Sequence, residues 1–325
     1  MALTSKANQM RQNGEDVIIL TVGEPDFDTP KYIKEAAKKA IDDGNTKYTS
    51  VDGTPALKNA IIKKLKNENN IHYSPEEIIV SAGCKQSIFN LLQVIIDNGD
   101  EVIIPEPYWV SYADMVIYAG GKPILLKTTY ENNFNIDVEL FESLITDKTK
   151  LFMINSPNNP SGKYFDSISL KKLSGVLVKN KNIYISSDDI YEHIQWHKEK
   201  FHNILNVCPD LKERTIILNG VSKAYSMTGW RVGWLVGNKE VLDISKKIQS
   251  HGTSNVSNIS QVAAETALKN GLDETLKMKD AFNRRRLLAI DLLSNTKYVK
   301  TNIPQGAFYI YPDVSEIVER KIIRG

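Results

Sequence analysis

Hydrophobic and polar positions follow two rhythms along the chain. From Pro30 onward, short apolar runs rich in β-branched residues alternate with longer stretches in which apolar residues recur every three or four positions. The short runs predict seven strands, at Ile78–Ser81, Glu101–Pro105, Lys122–Lys127, Lys150–Asn155, Ile183–Ser187, Thr215–Asn219 and Gly233–Gly237. Because strands alternate with helices, the pattern predicts an α/β fold in which a mostly parallel sheet lies between helices.

The helical stretches carry recognisable start signals. Thr54 followed by Pro55 is typical of an N-cap and a first helical position, and Leu57 and Ile61 recur on one face of the helix that follows. A last long helical pattern runs from about residue 273 to 295 and leads into a second αβ piece. At 325 residues, two domains are expected.

Composition removes several classes of protein. The 41 Lys and Arg nearly balance the 39 Asp and Glu, which leaves a net charge of +2 and no strong field for nucleic acid or an anionic membrane. The apolar runs are too short to span a bilayer, and Met1 to Gln12 is polar, without the apolar core of a signal peptide. We therefore expect a cytoplasmic protein. With only Cys84 and Cys208, neither a disulfide framework nor a cysteine-rich zinc site is expected.

Chemically informative residues stand where the predicted strands end. In open α/β sheets, ligands bind at the carboxyl ends of the strands. Those positions hold Gly83-Cys84-Lys85, Asn155 to Pro160, Asp188 to Tyr191, and Ser222-Lys223. We expect these four groups to converge on one cleft.

Nucleotide motifs fail at these positions. Gly162-Lys163 is followed by a tyrosine instead of the Ser or Thr of a Walker A loop. The turn after the first strand has the single glycine Gly83, where a dinucleotide fingerprint needs three. NAD binding is therefore disfavoured.

Hydrolase and metal chemistry are harder to dismiss. The run from Gly220 to Ala224 comes within one residue of the G-x-S-x-G elbow, so a serine hydrolase using Ser222 stays an alternative. His193 and His197 would share a face if their segment were helical, with His202 close by. No glutamate stands between them in the metalloprotease position, and surface or hydrogen-bonded histidines are the more usual explanation. We expect no metal.

A lysine at the end of a strand suggests another chemistry. A desolvated lysine can be neutral at working pH and form a Schiff base with a carbonyl or with pyridoxal phosphate (PLP). That cofactor also needs a carboxylate on its ring nitrogen, donors to its phenolic oxygen and a phosphate cup. Around Lys223 the sequence offers Asp188 for the nitrogen, Asn159 and Tyr191 for the oxygen, and Arg231 with Ser222 for the phosphate.

With these residues in view, the chain resembles the class I, fold-type I aminotransferases. It is most similar to the bacterial aspartate aminotransferases that include thermophilic members. The segments that carry the resemblance follow in family order: Gly23–Pro30, Lys47–Thr49, Ser81–Gln86, Pro107–Tyr112, Asn155–Gly162, Ser187–His193 and Ser222–Gly233. A lone Ser-Lys pair is common, whereas this ordered set is specific.

The resemblance implies a role for each cofactor-binding position. Lys223 matches the lysine that holds PLP covalently and then moves the proton between the substrate Cα and the cofactor. The other matches are Asp188 on the ring nitrogen, Tyr191 and Asn159 on the phenolic oxygen, Trp109 stacked on the ring, and a phosphate cup of Gly83, Cys84, Lys85, Ser222 and Arg231. Tyr48 matches a residue that reaches the phosphate of a neighbouring subunit, which implies a homodimer. Cys84 stands where the family commonly has glycine.

The same resemblance implies the substrates and the domains. Gly23, Trp109 and Asn159 match substrate-contacting positions, and Lys85 matches a cation near the distal carboxylate of acidic substrates. The expected reaction moves an amino group between an amino acid, aspartate or glutamate, and a 2-oxo acid. The implied large domain spans residues 30–272, and residues 1–29 with 273–325 form an incomplete smaller α+β domain.

The resemblance differs at the ends of the chain. Family members continue past Gly306–Tyr309 into a part that carries the arginine for the substrate α-carboxylate, and this chain stops at Gly325. We therefore expect weak transamination from the chain as given. A remnant that binds PLP with impaired catalysis is the second alternative, beside the serine hydrolase.

Overall fold

A computed structural model describes residues 2–20 and 22–320. In order, its strands are β1 (Ile78–Ser81), β2 (Glu101–Pro105), β3 (Lys122–Leu126), β4 (Thr149–Asn155), β5 (Tyr184–Asp188), β6 (Thr215–Gly220) and β7 (Gly233–Val236). Its helices are α1 (Ala2–Gln12), α2 (Lys31–Asp42), α3 (Pro55–Asn69), α4 (Cys84–Ile95), α5 (Ser111–Tyr118), α6 (Val138–Ser143), α7 (Ser167–Lys179), α8 (Ile204–Val207), α9 (Lys239–Gly252), α10 (Asn258–Lys269), α11 (Asp273–Ser294) and α12 (Ser315–Glu319).

The seven predicted strands form one sheet. Their order is β1-β7-β6-β5-β4-β2-β3, and the pairs from β6 to β3 are all parallel. Strand β7 is antiparallel to both β6 and β1. The prediction of a mostly parallel α/β sheet is confirmed, with strand ends that differ from the predicted ones by about one residue.

Both faces of the central strands are buried, because alternate residues of these strands pack against different layers of helices, whereas the edge strand β3 is partly exposed. In β6, Ile217 belongs to one hydrophobic core, whereas Ile216 and Leu218 belong to the other. β1 divides its residues in the same way, with Val80 on the first side and Ile79 on the second. This two-sided burial is why the strands read as nearly continuous apolar runs.

Local signals place the helices that approach the cleft. The Thr54 side chain accepts a hydrogen bond from the backbone N–H of Leu57 (3.3 Å), as its predicted capping role requires. α4 begins directly after Gly83, whose φ of +83° is in the left-handed region that favours glycine. The sharp turn between β1 and α4 thus aims the first N–H groups of α4 at the strand ends.

The long helix α11 is tied to the entry segment of the chain. Arg285 on α11 makes two hydrogen bonds to the Asp26 carboxylate (2.6 and 3.1 Å), and Phe282 packs edge-on against Phe27. Thr275 donates to the carbonyl of Ala224 (2.6 Å). Within residues 2–20 and 22–320, no helix is both long and apolar enough to cross a bilayer. Residues 1, 21 and 321–325 of the predicted smaller domain lie outside the described residues.

Candidate active site

Lys223 lies just beyond the end of β6, in a turn that faces the other strand ends. Its ammonium donates to the carbonyl of Gly23 (2.5 Å) and lies 5.9 Å from the ring centre of Tyr191. Burial lowers the pKa of Lys223 from 10.5 to about 8, although the nearby Glu24 opposes that change. About a tenth of this amine is therefore neutral at pH 7, far more than for an ordinary lysine, and a nucleophilic lysine needs that neutral form.

Asp188 ends β5 and is buried. Its Oδ2 accepts a hydrogen bond from the Tyr112 hydroxyl (2.5 Å), and its Oδ1 accepts from the backbone N–H of Ile190 (3.2 Å). The Cys84 thiol is a weak third donor, 3.9 Å from Oδ1. Burial raises the pKa of Asp188 to about 6, and the Tyr112 hydrogen bond limits that rise. Asp188 is therefore mostly ionised at pH 7 and can pair with a cationic group.

Asp189 has a different environment from its neighbour. Its carboxylate accepts hydrogen bonds from the Ser187 hydroxyl (2.7 Å) and from the Asn203 amide. Burial raises the pKa of Asp189 well above its usual range. This aspartate lies outside the lining of the cleft, whereas Asp188 belongs to it.

Tyr191 is a buried phenol beside the lysine. Its hydroxyl is 2.6 Å from the hydroxyl of Tyr309, and the side chain of Asn159 also hydrogen-bonds to it. The backbone N–H of Asn159 donates to the side chain of Asn155 (2.8 Å), which fixes the loop after β4. The two residues predicted to bind one oxygen of a ligand, Tyr191 and Asn159, are thus brought together.

Trp109 lines another wall of the cleft. Its ring packs edge-on against Tyr112, with ring centres 5.4 Å apart and planes at 89°. The ammonium of Lys85 lies 4.7 Å from the centre of the Trp109 ring, within the range of a cation–π contact. Trp109 is therefore oriented by the same tyrosine that binds Asp188, and Lys85 places a positive charge beside it.

An anion cradle lies at the start of α4. The first N–H groups of a helix have no partner within the helix, and here they belong to Cys84 and Lys85. A Cβ at Gly83 would lie 2.5 Å from the guanidinium of Arg231, and one at Gly233 would lie 2.3 Å from the Cys84 nitrogen. Glycine at both positions thus lets the helix start and Arg231 approach each other closely.

Arg231 is held at this cradle by its backbone and by two carbonyls. Its φ of +55° is left-handed, and its guanidinium donates to the carbonyls of Thr228 (2.8 Å) and Ala82 (3.3 Å). These bonds leave other donors of the guanidinium free for an anion.

Most predicted site residues line one cleft of about 1050 Å³. They are Gly23, Cys84, Lys85, Trp109, Asn159, Asp188, Tyr191, Ser222, Lys223 and Arg231. Gly83 lies just behind the lining, where it makes room for Arg231. Tyr48 lies outside the cleft with 90% of its side chain exposed, so its predicted role depends on a second subunit.

A buried ionic cluster lies next to the site, and no sequence pattern predicted it. Glu192 forms an ion pair with Lys64 on α3 and accepts hydrogen bonds from Asn69 (2.7 Å) and Asn219 (2.6 Å). Burial alone would raise the pKa of Glu192, but Lys64 beside it lowers that pKa to about 2. The cluster ties α3 and the end of β6 to the turn that carries Tyr191.

The histidines are used structurally. His193 and His197 lie in turns and irregular backbone, so the helix face that they would share is absent. The Nε2 of His193 is 2.7 Å from Glu68, and His197 stacks on Tyr164 with ring centres 4.8 Å apart. Across the described part of the chain, the one group with metal-ligand geometry is Glu68, Glu192 and His193, and Lys64 forms ion pairs with both of its carboxylates.

Three further cleft residues had no role assigned from the sequence. Tyr112 binds Asp188, Tyr309 binds Tyr191, and Phe308 lies with its ring centre 5.8 Å from the Lys223 ammonium. The Gly306–Tyr309 run could have signalled the last two, because it combines glycine with two adjacent aromatics. Nothing local in the sequence marks Tyr112 as the partner of a residue 76 positions away.

The serine hydrolase alternative finds no support in the geometry. Ser222 lines the cleft, but no histidine hydrogen-bonds to it among the residues described. A nucleophilic serine needs an adjacent base to activate its hydroxyl. The neighbouring amine of Lys223 donates to the Gly23 carbonyl, and no hydrogen bond joins it to Ser222 among the described residues.

The site and the doubly covered sheet define an α/β enzyme built around a desolvated lysine, and comparison with known proteins identifies its kind. The model of the family "aminotransferase class I and II" matches residues 15–324. The aspartate/prephenate aminotransferase of Nitrosomonas europaea is 48% identical over 320 residues, which are 98% of this chain and 81% of that protein. The aspartate aminotransferase of Bacillus sp. (strain YM-2) is 44% identical over 98% of this chain and 81% of its own length.

Solved structures agree with this assignment. The aspartate aminotransferase from Rhizobium meliloti superposes with a TM-score of 0.94 at 41% identity, covering 97% of this chain and 79% of that one. The Thermus thermophilus aspartate aminotransferase with maleate gives 0.91 at 40% identity, covering 97% and 82%. The chain belongs to the class I and II aminotransferase family, and its reaction is transamination.

Proposed function

We propose that this chain is a PLP-dependent aspartate-type aminotransferase that exchanges an amino group between aspartate or glutamate and a 2-oxo acid. The observation that carries the proposal is the Lys223 amine, with a pKa of about 8, in one cleft with Asp188, Tyr191, Trp109 and Arg231. These groups are the amine, carboxylate, phenol, aromatic ring and guanidinium that PLP requires. The residues present therefore fit the cofactor.

When bound, PLP supplies a conjugated ring that withdraws electrons from the substrate Cα. The protein's part is to hold charge and move protons around that ring. Asp188, buried and mostly ionised at pH 7, would keep a proton on the ring nitrogen. Lys223 would take the proton from Cα with its neutral amine, and Tyr191 with Asn159 would donate to the phenolic oxygen.

The cradle at α4 would hold the phosphate. Cys84, Lys85, Ser222 and Arg231 all line the cleft, and the Arg231 guanidinium lies beside the start of α4. A helix N-terminus and a guanidinium together are well suited to a dianion. Gly83 contributes by the absence of a side chain.

Lys85 supports an acidic substrate. Its ammonium is exposed, lies against Trp109 and makes no ion pair among the described residues. The relatives named above act on aspartate and prephenate by name, and the Thermus protein was solved with maleate, a dicarboxylate. We therefore propose that Lys85 meets the distal carboxylate, while Gly23, Trp109 and Asn159 border the reacting carbon.

A homodimer is part of the proposal. Tyr48 has a large phenol that is 90% exposed, and it is assigned to the phosphate of a second copy. We also propose that residues 30–272 form the cofactor-binding domain, with residues 1–29 and 273–325 belonging to a smaller one. The bonds from Arg285 to Asp26 join the two parts of that smaller unit.

Chemical trapping tests the proposal. Protein loaded with PLP is reduced with borohydride, digested and mapped, and we expect the pyridoxyl group on Lys223. Label on another lysine, or none in protein that has bound the cofactor, would overturn the assignment. Mixing the loaded enzyme with aspartate then separates an active transaminase from a cofactor-binding remnant, because only the former converts the bound cofactor to its amino form.

Lys85 offers a matched test of substrate class. Lys85→Met should raise the KM for aspartate more than tenfold, since a charge-assisted hydrogen bond contributes about 1.5 to 3 kcal/mol. The KM for an uncharged amino acid such as alanine should change little. Equal effects on both substrates would place the distal carboxylate elsewhere.

A further inference from the structure

Tyr309 occupies a position in the cleft that connects two residues around the reactive amine. Its hydroxyl is 2.6 Å from that of Tyr191, with ring centres 5.6 Å apart and planes at 83°. Among the described residues, this is the one hydrogen bond that the Tyr309 side chain makes. Burial raises the pKa of Tyr309 to about 12, so the phenol keeps its proton throughout the working range.

The same hydroxyl packs against Gly23. A Cβ built on Gly23 would lie 2.2 Å from the Tyr309 oxygen, so an alanine there would displace the phenol. The carbonyl of Gly23 is the acceptor for the Lys223 ammonium. Tyr309 therefore contacts Gly23, which accepts the hydrogen bond from Lys223. It also contacts Tyr191, whose ring lies beside the Lys223 ammonium.

The segment that carries Tyr309 is anchored on both sides. The N–H groups of Gln305 and Gly306 donate to the carbonyl of Gly162 (2.8 and 3.0 Å), and that of Ala307 donates to the carbonyl of Ile194 (2.7 Å). These bonds join the segment to the loop after β4 and to the turn after β5. The phenol is thus held in place by backbone bonds, independently of its contact with Tyr191.

A phenol has one proton to donate. If Tyr191 gives its proton to an anionic oxygen in the cleft, the Tyr191 oxygen becomes free to accept, and Tyr309 is the hydroxyl placed to donate to it. Hydrogen bonds in such a chain polarise and strengthen one another, by roughly 10 to 30% per bond. The ionisable groups that face the pair are Lys223, Asp188, Tyr112 and Cys84.

We propose that Tyr309 is a positioning residue of the transaminase, which donates to Tyr191 and thereby strengthens the bond from Tyr191 to the phenolic oxygen of the cofactor. This inference rests on the proposed function, because it requires PLP on Lys223. Its effect reaches the cofactor through Tyr191, and it needs no contact between Tyr309 and the ring.

The test is a spectrophotometric pH titration of the bound cofactor, without substrate. The wild-type protein must first show a visible band with label on Lys223; if it does not, the proposed function fails, and the titration is not reached. In Tyr309→Phe the phenolic oxygen of the cofactor is less well stabilised as an anion. The bound cofactor should therefore lose its titrating proton at higher pH. We expect the midpoint to rise by roughly 0.2 to 0.5 pH unit.

Tyr311→Phe is the matched control. It removes the same atom two residues further along, where the side chain is 46% exposed and packs against Phe134. Its midpoint should equal that of the wild type. An unchanged or lowered midpoint in Tyr309→Phe would overturn the inference, since Tyr309 would then be neutral or would compete for the Tyr191 proton.

Gly23→Ala gives a second route if Tyr309→Phe folds poorly. The added methyl group pushes the Tyr309 hydroxyl aside, so the midpoint should rise in the same direction. The midpoint of the double variant Gly23→Ala, Tyr309→Phe should shift no further than that of the single variant with the larger shift. The reason is that both changes disrupt the same hydrogen bond between Tyr309 and Tyr191. Additive shifts would mean that Gly23 acts independently of Tyr309, and they would also count against the inference.

Discussion

The depressed pKa of Lys223 predicts that the active site destabilises the apo fold, and that removing the lysine's charge restores stability. The perturbation is Lys223→Met, which keeps the length of the side chain and removes the amine. The fall in pKa from 10.5 to about 8 is 2.5 units, equivalent to about 3 kcal/mol of unfavourable burial when the amine is charged. This is an upper value, because the amine faces an open cleft.

The substitution also has a cost. Losing the 2.5 Å bond to the Gly23 carbonyl removes about 1 kcal/mol, since water in the cleft can replace the donor. At pH 7 the apo variant should therefore unfold with a free energy about 2 kcal/mol higher than that of the wild type.

The two pKa values of Lys223 also fix the direction in which the stability difference between wild type and variant changes with pH. Between pH 8 and 10.5 the unfolded chain binds a proton that the folded chain has lost, so the wild type becomes more stable relative to the variant as pH rises. By pH 10 the burial penalty is below about 1 kcal/mol, and the two proteins should be nearly equal.

Urea unfolding of the apo proteins at pH 7 and pH 10, at one protein concentration, measures this difference. Lys181→Met, at an exposed lysine without an ion pair among the described residues, is the control and should show no pH-dependent gain. If Lys223→Met were less stable than the wild type at pH 7, the amine would be solvated in the folded state and the desolvation reasoning would be wrong.

Three other outcomes follow from the geometry. Asp188→Asn should retain the cofactor but slow proton abstraction from aspartate by orders of magnitude in single turnovers. Asp189→Asn should mainly lower the free energy of unfolding, by about 1 to 2 kcal/mol. If Asp189→Asn slowed proton abstraction more than Asp188→Asn, the two roles would be exchanged. Gly83→Ala should weaken PLP binding at least tenfold in equilibrium titration, because its Cβ meets Arg231 at 2.5 Å and its φ is +83°; unchanged affinity would move the phosphate elsewhere. Lys64→Met should cost about 3 to 5 kcal/mol in urea unfolding, because it leaves a buried glutamate unpaired, and a loss below 1 kcal/mol would show that water reaches that cluster.

Much of the fold was determined by local sequence. The strand runs and the caps at Thr54 and Gly83 act within a few residues, so hydrophobic period and turn chemistry were enough to place the seven strands to about one residue. Ligands bind at the carboxyl ends of the strands in open α/β sheets, and these ends meet at one edge of the sheet. This rule predicted that Lys223, Asp188 and Tyr191 share one cleft, without any knowledge of their contacts.

Only the tertiary structure decided how these groups are supported. Tyr112 meets Asp188 across 76 residues, Tyr309 meets Tyr191 across 118, and Lys64 meets Glu192 across 128. A local pattern carries no record of such pairs, because each depends on helix packing and loop anchoring that bring distant segments to one place. The pKa values of Lys223 and Asp188 arise in the same way: burial sets them, and burial is a property of the packed fold.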